Sequence, residues 1–470
     1  MDFEQYLSPF SWRYGSVEMR SLWSENNKRK LWRRIWVALA EAQVVYGLVS
    51  HEQVNELIQH INDIDIPRAL EIEAEIHHDL MAEVKTYVEQ CPLAGGIIHL
   101  GATSMDVEDN ADAIRVRQSV DVLIEKLRKL LTHFAGQMDR YADLPVMAFT
   151  HLQPAEPTTL GYRLAFYAQD LLDGLIQLEE TRARIMGKGF KGAVGTAASY
   201  IELFGYENYL HFEKQISTRL DLPFFEVSNQ TYPRVQDYTV LSIVAGIGST
   251  LYKFAFDLRI LQSPPIGELA EPFGSKQIGS SAMPFKRNPI RSEKIDSLGR
   301  MLAQMPAIAW HNAAHSLLER TLDDSANRRS SLPEAFLILD EMLQVSSGLI
   351  KDLQVNQDQI KRNFNLYAPF AATERVLMAA AKSGADRQEM HNILREDALK
   401  AWESVKTGRT NPLNELLKND ARILSFLPLP ELESLLSVDK YLGIAPQATR
   451  ALVNKIQTHI NHPTGDGMVQ

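Results

Sequence analysis

The sequence predicts an all-α protein organised round a central bundle of long helices, and three observations lead to that class. Apolar residues recur at three- and four-residue spacing over stretches well beyond the usual globular helix. Period-2 alternation, the mark of half-buried strands, is almost absent. Turn formers cluster between 91 and 110, and prolines return after 356, so the long helices are bracketed by two breaks. These breaks divide the chain into an N-terminal helical domain over 1–103, a central long-helix bundle over 104–355 and a C-terminal helical domain over 356–470. With 470 residues, 45% of them hydrophobic, more than one core is affordable.

Taken in order, SWRYGS at 11–16 precedes the first strong helix and carries Arg13 and Tyr14, which on residue type alone pack an N-terminal arm. From Lys30 to Gly47, Leu31, Ile35, Leu39, Ala42 and Val45 share one helical face. A short helix follows near Glu52–Asn62, and a third is expected over Pro67–Glu89, with His77, His78 and Asp79 inside it. In CPLAGGIIHLGATSMDVEDN (91–110), Thr103 and Ser104 either cap the next helix or turn their hydroxyls into a site. That helix, expected over Asp109–Tyr141, keeps bundle spacing at Val120, Leu123, Ile124, Leu127, Leu130, Leu131, Phe134, Met138 and Tyr141. At 1.5 Å per residue it would span about 50 Å. Further long patterns cover Thr158–Met186, Val235–Gln262, Arg291–Ala314 and Pro333–Leu353. Pro306 is expected to kink the third of these, and Gly246 and Gly248 to allow close packing in the second. Beyond Asn356 the helices are expected to shorten. No internal repeat or low-complexity tract is visible.

The formal net charge of −10 and pI of about 5.8 argue against general binding to nucleic acid or to an anionic membrane, and leave room for a local basic pocket. Cys91 is the one cysteine, so no intramolecular disulfide forms; its Gln-Cys-Pro setting reads as structural, and a reducing compartment fits. No run of about 18 apolar residues stands out, and MDFEQYLSPF lacks a basic-then-apolar leader, so a soluble cytoplasmic protein is expected. GKGFKG (187–192) formally fits a dinucleotide glycine motif. It follows a long helix instead of a strand, which excludes that fold. His311 and His315 are four apart on a helix, but HNAAH lacks the glutamate of a zinc protease and no third ligand is evident.

The stretch richest in chemistry is GSSAMPFKRNPIRSEK, 279–294. Two hydroxyls follow a glycine, prolines hold the chain extended, and cations and amides suit an anion. An ordinary solvated loop is the competing reading. The string resembles the signature loop of the fumarase/aspartase superfamily, G-S-S-x-M-P-x-K-x-N-P, and its continuation is closest to the adenylosuccinate lyase family. Two more segments resemble shared regions of that superfamily: IIHLGATSMDVEDN (97–110) and FTHLQPAEPTT (149–159). RTLDDSANRR (320–329) is similar to a segment of adenylosuccinate lyases in particular, and similarity extends to AATE at 371–374.

The resemblance implies a three-domain all-α fold and a homotetramer in which three regions meet from three subunits. It implies loss of fumarate from a succinyl C–N bond, with a purine nucleotide as the small-molecule substrate: adenylosuccinate or the succinyl-carboxamide intermediate of purine synthesis. No metal or organic cofactor is called for, and no nucleic acid or membrane partner. By motif match His151 is the general acid, paired with Glu293 and flanked by Thr150. Ser280 is the base, with Ser281 as second choice, on a loop expected to close over substrate. Lys286 and Asn288 serve the developing negative charge. His78 shares the proton work, and Arg13, Tyr14, His77, Asp79, Thr103, Ser104, Gln230, Arg320, Ser325 and Arg329 fall on substrate positions. Lys294 stands where the animal-type enzymes carry arginine, so the bidentate fork is lost there. Two other readings remain: another fumarate-releasing lyase, such as argininosuccinate lyase, or a catalytically silent scaffold of the lens-crystallin kind. The cationic Arg320–Arg329 segment argues against the first, and intact His151, Ser280, Lys286 and Glu293 against the second.

Overall fold

Serine hydroxyls start the first three helices of the computed structural model, which describes residues 3–274 and 276–462. Ser16, Ser24 and Ser50 cap α1 (Val17–Leu22), α2 (Glu25–Val44) and α3 (His51–Gln59), each accepting a third-residue amide at 3.2 Å. Gln53 completes a capping box at the last of them. The single helix expected over 67–89 is two: α4 (Ile66–Ile76) and α5 (Asp79–Gln90). His77 breaks the run in the left-handed conformation at φ 53°, and His78 becomes the N-cap of α5. No glycine or proline signals that break, which is why periodicity ran through it.

The long helix α6 (Ser104–Arg140) begins five residues before its expected start and has 37 residues, about 55 Å. The next segment departs from an all-helical reading. Residues Pro145–Thr150 (β1) and Gln153–Thr159 (β2) form an antiparallel hairpin, after which α7 runs over Leu160–Arg184. Two short helices, α8 (Ala198–Phe204) and α9 (Tyr206–Leu220), lead to α10 (Val235–Gln262). After β3 (Leu269–Ala270) the Arg291–Ala314 pattern resolves into α11 (Ile290–Leu302) and α12 (Met305–Ala314). Pro306 therefore sits in the first turn of a new helix, where its missing N–H costs nothing, and kinks none. Helix α13 (Asp323–Lys351) starts ten residues before Pro333 and runs through it. The strand β4 (Gln354–Val355) pairs with β3, and α14 (Gln357–Lys382) and α15 (Arg387–Lys406) follow. With 26 and 20 residues these two are already somewhat shorter than α13, and the shortening becomes pronounced at α16 (Leu413–Asn419), α17 (Ala421–Leu424) and α18 (Leu429–Leu436). A last helix, α19, covers Ala445–Asn461.

The chain forms two compact units, each assembled from three stretches. The first comprises 1–127, 174–249 and 297–344. Its α2–α5 layer buries Ile35, Trp36, Leu39 and Tyr87 round an ionic triad. There Glu83 accepts from Arg29 Nη1 at 2.8 Å and from Arg33 Nε at 2.7 Å, with all three side chains removed from water. Deleting the shared carboxylate would strand two buried guanidinium groups. Glu83→Gln is therefore expected to cost about 3–5 kcal/mol, read as a lower denaturation midpoint. Cys91 ends α5 in the same layer; it is fully buried, and burial pushes its thiol up to about 11.

Helix α10 is long and apolar enough by composition to cross a membrane, contrary to the expectation that no such stretch exists. Its apolar positions are spent on packing: in the first unit Val240, Leu241, Val244 and Ile247 are buried. A Cβ at Gly248 would lie 2.5 Å from Leu302 Cδ2, so a larger residue there would have to displace that side chain, whereas Gly246 faces open space.

The second unit comprises 128–173, 250–296 and 345–470. Its core gathers Ala372, Val376, Met390, Leu394, Leu417 and Leu432 from the C-terminal helices. The β1–β2 hairpin lies on α14, with Met147 entering that core. Arg163 of α7 fixes the hairpin by donating to the Met147 carbonyl at 2.5 Å and pairing with buried Glu268 at 3.1 Å.

Candidate active site

Three helices of the first unit begin at one cavity of about 610 Å³: α5 at Asp79, α6 at Ser104 and α13 at Asp323. Each start leaves backbone N–H groups and the positive end of a helix dipole, so the geometry favours an anion. Of the residues singled out from sequence, His77, His78, Asp79, Thr103, Ser104, Gln230, Arg320, Ser325 and Arg329 all line this cavity. Arg13 and Tyr14 do not. They lie on the N-terminal arm, Arg13 over the Trp12 ring and Tyr14 against Phe10.

The wall is held by specific bonds. The Met81 amide donates to His78 Nδ1 at 3.4 Å, which leaves the Nε2 proton of the neutral ring facing Ser104 Oγ, also at 3.4 Å. Arg329 Nη2 donates to Asp79 Oδ2 at 2.7 Å. Burial pulls the Asp79 carboxyl upward, yet the charge and hydrogen bond of Arg329 and the Leu80 amide together hold it below its ordinary value. Gln230 donates to the Ala193 carbonyl at 3.1 Å, which orients it at the rim.

The charged 320–329 segment turns out to be both a salt-bridged helix start and a cavity wall. Arg328 is buried and fully matched: it donates to Asp237 at 2.9 Å, Asp112 at 3.1 Å and the Tyr232 hydroxyl at 2.7 Å. Arg320 pairs with Asp324 at 2.7 Å, and Arg234 bridges Asp109 and the same Asp324. Arg329, one residue on and about 100° round the helix, keeps 59% of its side chain exposed. It is the arginine of the pair that is open to a ligand.

The remaining candidates belong to the second unit. His151 and Leu152 form the two-residue tip of the β1–β2 hairpin, and both have positive φ, 53° and 60°. Thr150 ends β1, paired with Gln153, and His151 is exposed to solvent. In the 279–294 loop, Ser280 Oγ accepts from the Met283 amide at 3.1 Å and the Ala282 amide at 3.3 Å. Ser281 and Lys286 are exposed, and Asn288 Nδ2 donates to the Gly279 carbonyl at 3.0 Å. A Cβ at Gly279 would lie 2.1 Å from the Lys286 carbonyl, so this turn closes only on glycine. Glu271 caps α11, accepting from Ser292 N at 2.6 Å and Arg291 N at 3.2 Å. Glu293 lies on the first turn of that helix with Arg259 at 4.0 Å, and Lys294 follows it.

Residues 15–302 match the family described as "Lyase", and residues 369–452 match "Adenylosuccinate lyase C-terminus". The adenylosuccinate lyase of Saccharomyces cerevisiae is 40% identical over 97% of this chain and 95% of its own length. That of Pyrococcus abyssi is 35% identical over 96% and 98%. The chain belongs to the adenylosuccinate lyase family. Solved structures share its fold at lower identity. A fumarate lyase from Mesorhizobium sp. BNC1 superposes with TM-score 0.83 at 23% identity over 96% of this chain and 99% of that one. The 3-carboxy-cis,cis-muconate lactonizing enzyme of Pseudomonas putida gives 0.85 at 24%, over 95% and 98%.

Against this family background the cavity holds residues that sequence reading passed over. Ser104, Glu108, Asp112 and Arg115 form one stripe along α6, at i, i+4, i+8 and i+11, and all four line the cavity. The spacing was available in the sequence once Ser104 was placed on the helix. Trp23, Lys28 and Trp32 add an aromatic and cationic flank from the α1–α2 region, which carried no motif. Asp106 was also unremarked. It is completely buried, accepting from the Thr103 amide at 3.0 Å and from the Lys191 and Gly192 amides at 3.2 Å, and it pairs with Lys188. The glycine motif at 187–192 thus anchors the start of α6. His311 and His315 stack at the end of α12, and among the described residues no trio of metal-type side chains gathers.

Proposed function

We propose that the chain cleaves adenylosuccinate to AMP and fumarate, and removes fumarate in the same way from the succinyl-carboxamide ribonucleotide of purine synthesis. The observation that carries this reading is the cavity where three helix N-termini meet Arg320, Ser325 and Arg329. A nucleotide monophosphate carries two negative charges and acceptor oxygens suited to such a place. The succinyl group brings two carboxylates, for which Thr103, Ser104 and the adjoining amides of α6 offer donors.

In the proposed chemistry Ser280 Oγ takes the Cβ proton of the succinyl group. The electron pair left behind is delocalised into the neighbouring carboxylate, opposite Lys286, Asn288 and the loop amides. The C–N bond then breaks as the C=C bond of fumarate forms, and His151 gives the departing nitrogen its proton. A serine is a weak base in water. The two amides donating to Ser280 Oγ support the role, because they favour the alkoxide over the hydroxyl. We further infer a cytoplasmic homotetramer with active sites assembled from different subunits and loops that close on substrate, consistent with shared motifs carried on stiff helices.

Incubation with adenylosuccinate is expected to change the ultraviolet spectrum to that of AMP, with one fumarate per nucleotide. A flat spectrum with intact, folded protein would overturn the assignment and favour a silent scaffold.

A further inference from the structure

Glu108 stands in the wall of the nucleotide cavity, one turn beyond Ser104 and one turn before Asp112. The acids nearest it on that wall each have a cation: Asp79 has Arg329, and Asp112 has Arg115 and Arg328. Among the described residues no hydrogen bond or ion pair engages Glu108. An acid with no partner in a pocket for a dianion is anomalous if it is ionised, because its charge would repel the ligand that the cavity attracts.

We propose that Glu108 contacts the substrate, donating a hydrogen bond from its carboxyl O–H to a phosphate oxygen of the nucleotide. The inference rests on the nucleotide reading given above and assigns a specificity-determining residue within it. Three features support it. The stripe on α6 directs Glu108 into the cavity that Arg329 also lines, near enough to feel that guanidinium's charge, and Arg329 belongs to the region proposed for phosphate. Its surroundings keep it neutral: burial pushes it up to about 8, the Asp79, Asp112 and Asp109 carboxylates add to this, and Arg329 opposes it. A carboxylic acid, unlike a carboxylate, both donates to phosphate and adds no negative charge.

The other charged groups on the cavity wall are His78 ahead of α5, Glu25 and Lys28 on α2, Glu73 and His77 at the end of α4, Arg115 on α6 and Arg234 ahead of α10. Arg320 precedes α13, and Asp324 and Arg328 lie on it. Phosphate itself is a dianion above neutrality, so its own titration does not enter the alkaline range. Ionisation of Glu108 there would turn a donor into a repelling charge.

The test is the pH dependence of KM for adenylosuccinate from pH 7 to 9.5 in the wild-type chain, Glu108→Gln and Glu108→Ala, with melting curves to confirm folding. Wild-type KM is expected to climb above pH 8, towards about tenfold per unit. Glutamine keeps a donor of the same shape and cannot ionise. Its KM is expected to stay near the wild-type neutral value and to lack that climb. Alanine is expected to sit several-fold above the wild-type neutral value at every pH, again without the climb, so that the wild-type curve overtakes it in the alkaline range. Coincident wild-type and glutamine profiles would overturn the proposal, and so would a glutamine variant as weak as alanine at pH 7, since that would show that a neutral donor cannot replace the group. If the wild-type chain cleaves adenylosuccinate and the profiles coincide, only the Glu108 assignment falls. If it cleaves none, the nucleotide reading and this inference fall together.

Discussion

Ser280→Ala is expected to reduce kcat for adenylosuccinate by about 10²–10⁴-fold while KM stays within a few-fold of wild type. The substitution removes the oxygen proposed to accept the Cβ proton and leaves the cavity of the first unit, proposed to hold the nucleotide, unaltered in sequence. Its structural cost is small. Oγ serves only as acceptor for the Ala282 and Met283 amides, on a loop open to water that can replace it. Ser281→Ala is the matched control: that side chain is exposed. Steady-state rates by absorbance decide between the neighbours. A large loss at 281 with near-normal turnover at 280 would exchange their roles.

His151→Gly is expected to lose activity on a similar scale, roughly 10²–10⁴ in kcat, while the protein becomes no less stable. The imidazole is the proposed proton donor to the leaving nitrogen. Its backbone is also left-handed, φ 53°, beside a second left-handed residue at Leu152. A two-residue turn of this hand suits glycine, and a side chain there costs about 1 kcal/mol. Thermal melting should therefore show an unchanged or slightly raised Tm next to a collapsed rate. A variant that turned over normally would remove His151 from the chemistry. A variant that unfolded would show that the ring contributes structure, contrary to its exposure.

The hairpin also shows what the sequence could and could not disclose. FTHLQPAEPTT singled out His151 as a candidate by its motif, yet not the strands that carry it. Prolines at 154 and 157 weaken a strand reading, and His-Leu is not a recognisable turn pair, so β1 and β2 looked like the approach to α7. The long amphipathic helices were legible because each repeats one pattern for many turns. Their ends were less so. The break at His77 depends on one left-handed residue, and the start of α13 depends on ion pairs that only the folded chain assembles. In the same way, residue type alone does not separate Arg328 from Arg329, and only the motif resemblance picked out the second. Their opposite fates follow from a 100° turn of the helix that points one at Asp237 and the other at Asp79. Motif and periodicity thus located most of the cavity, whereas the α6 stripe needed a helix register fixed at Ser104.

The burial of Cys91 has a practical corollary for watching the loop at work. Its thiol is shielded and resists ionisation, so maleimide reagents, which need thiolate, should pass it by. A cysteine introduced at exposed Ala282 would then be the single labelling point on the chain. A fluorophore or spin probe placed there would test the proposed closure when substrate is added, without first removing the native cysteine.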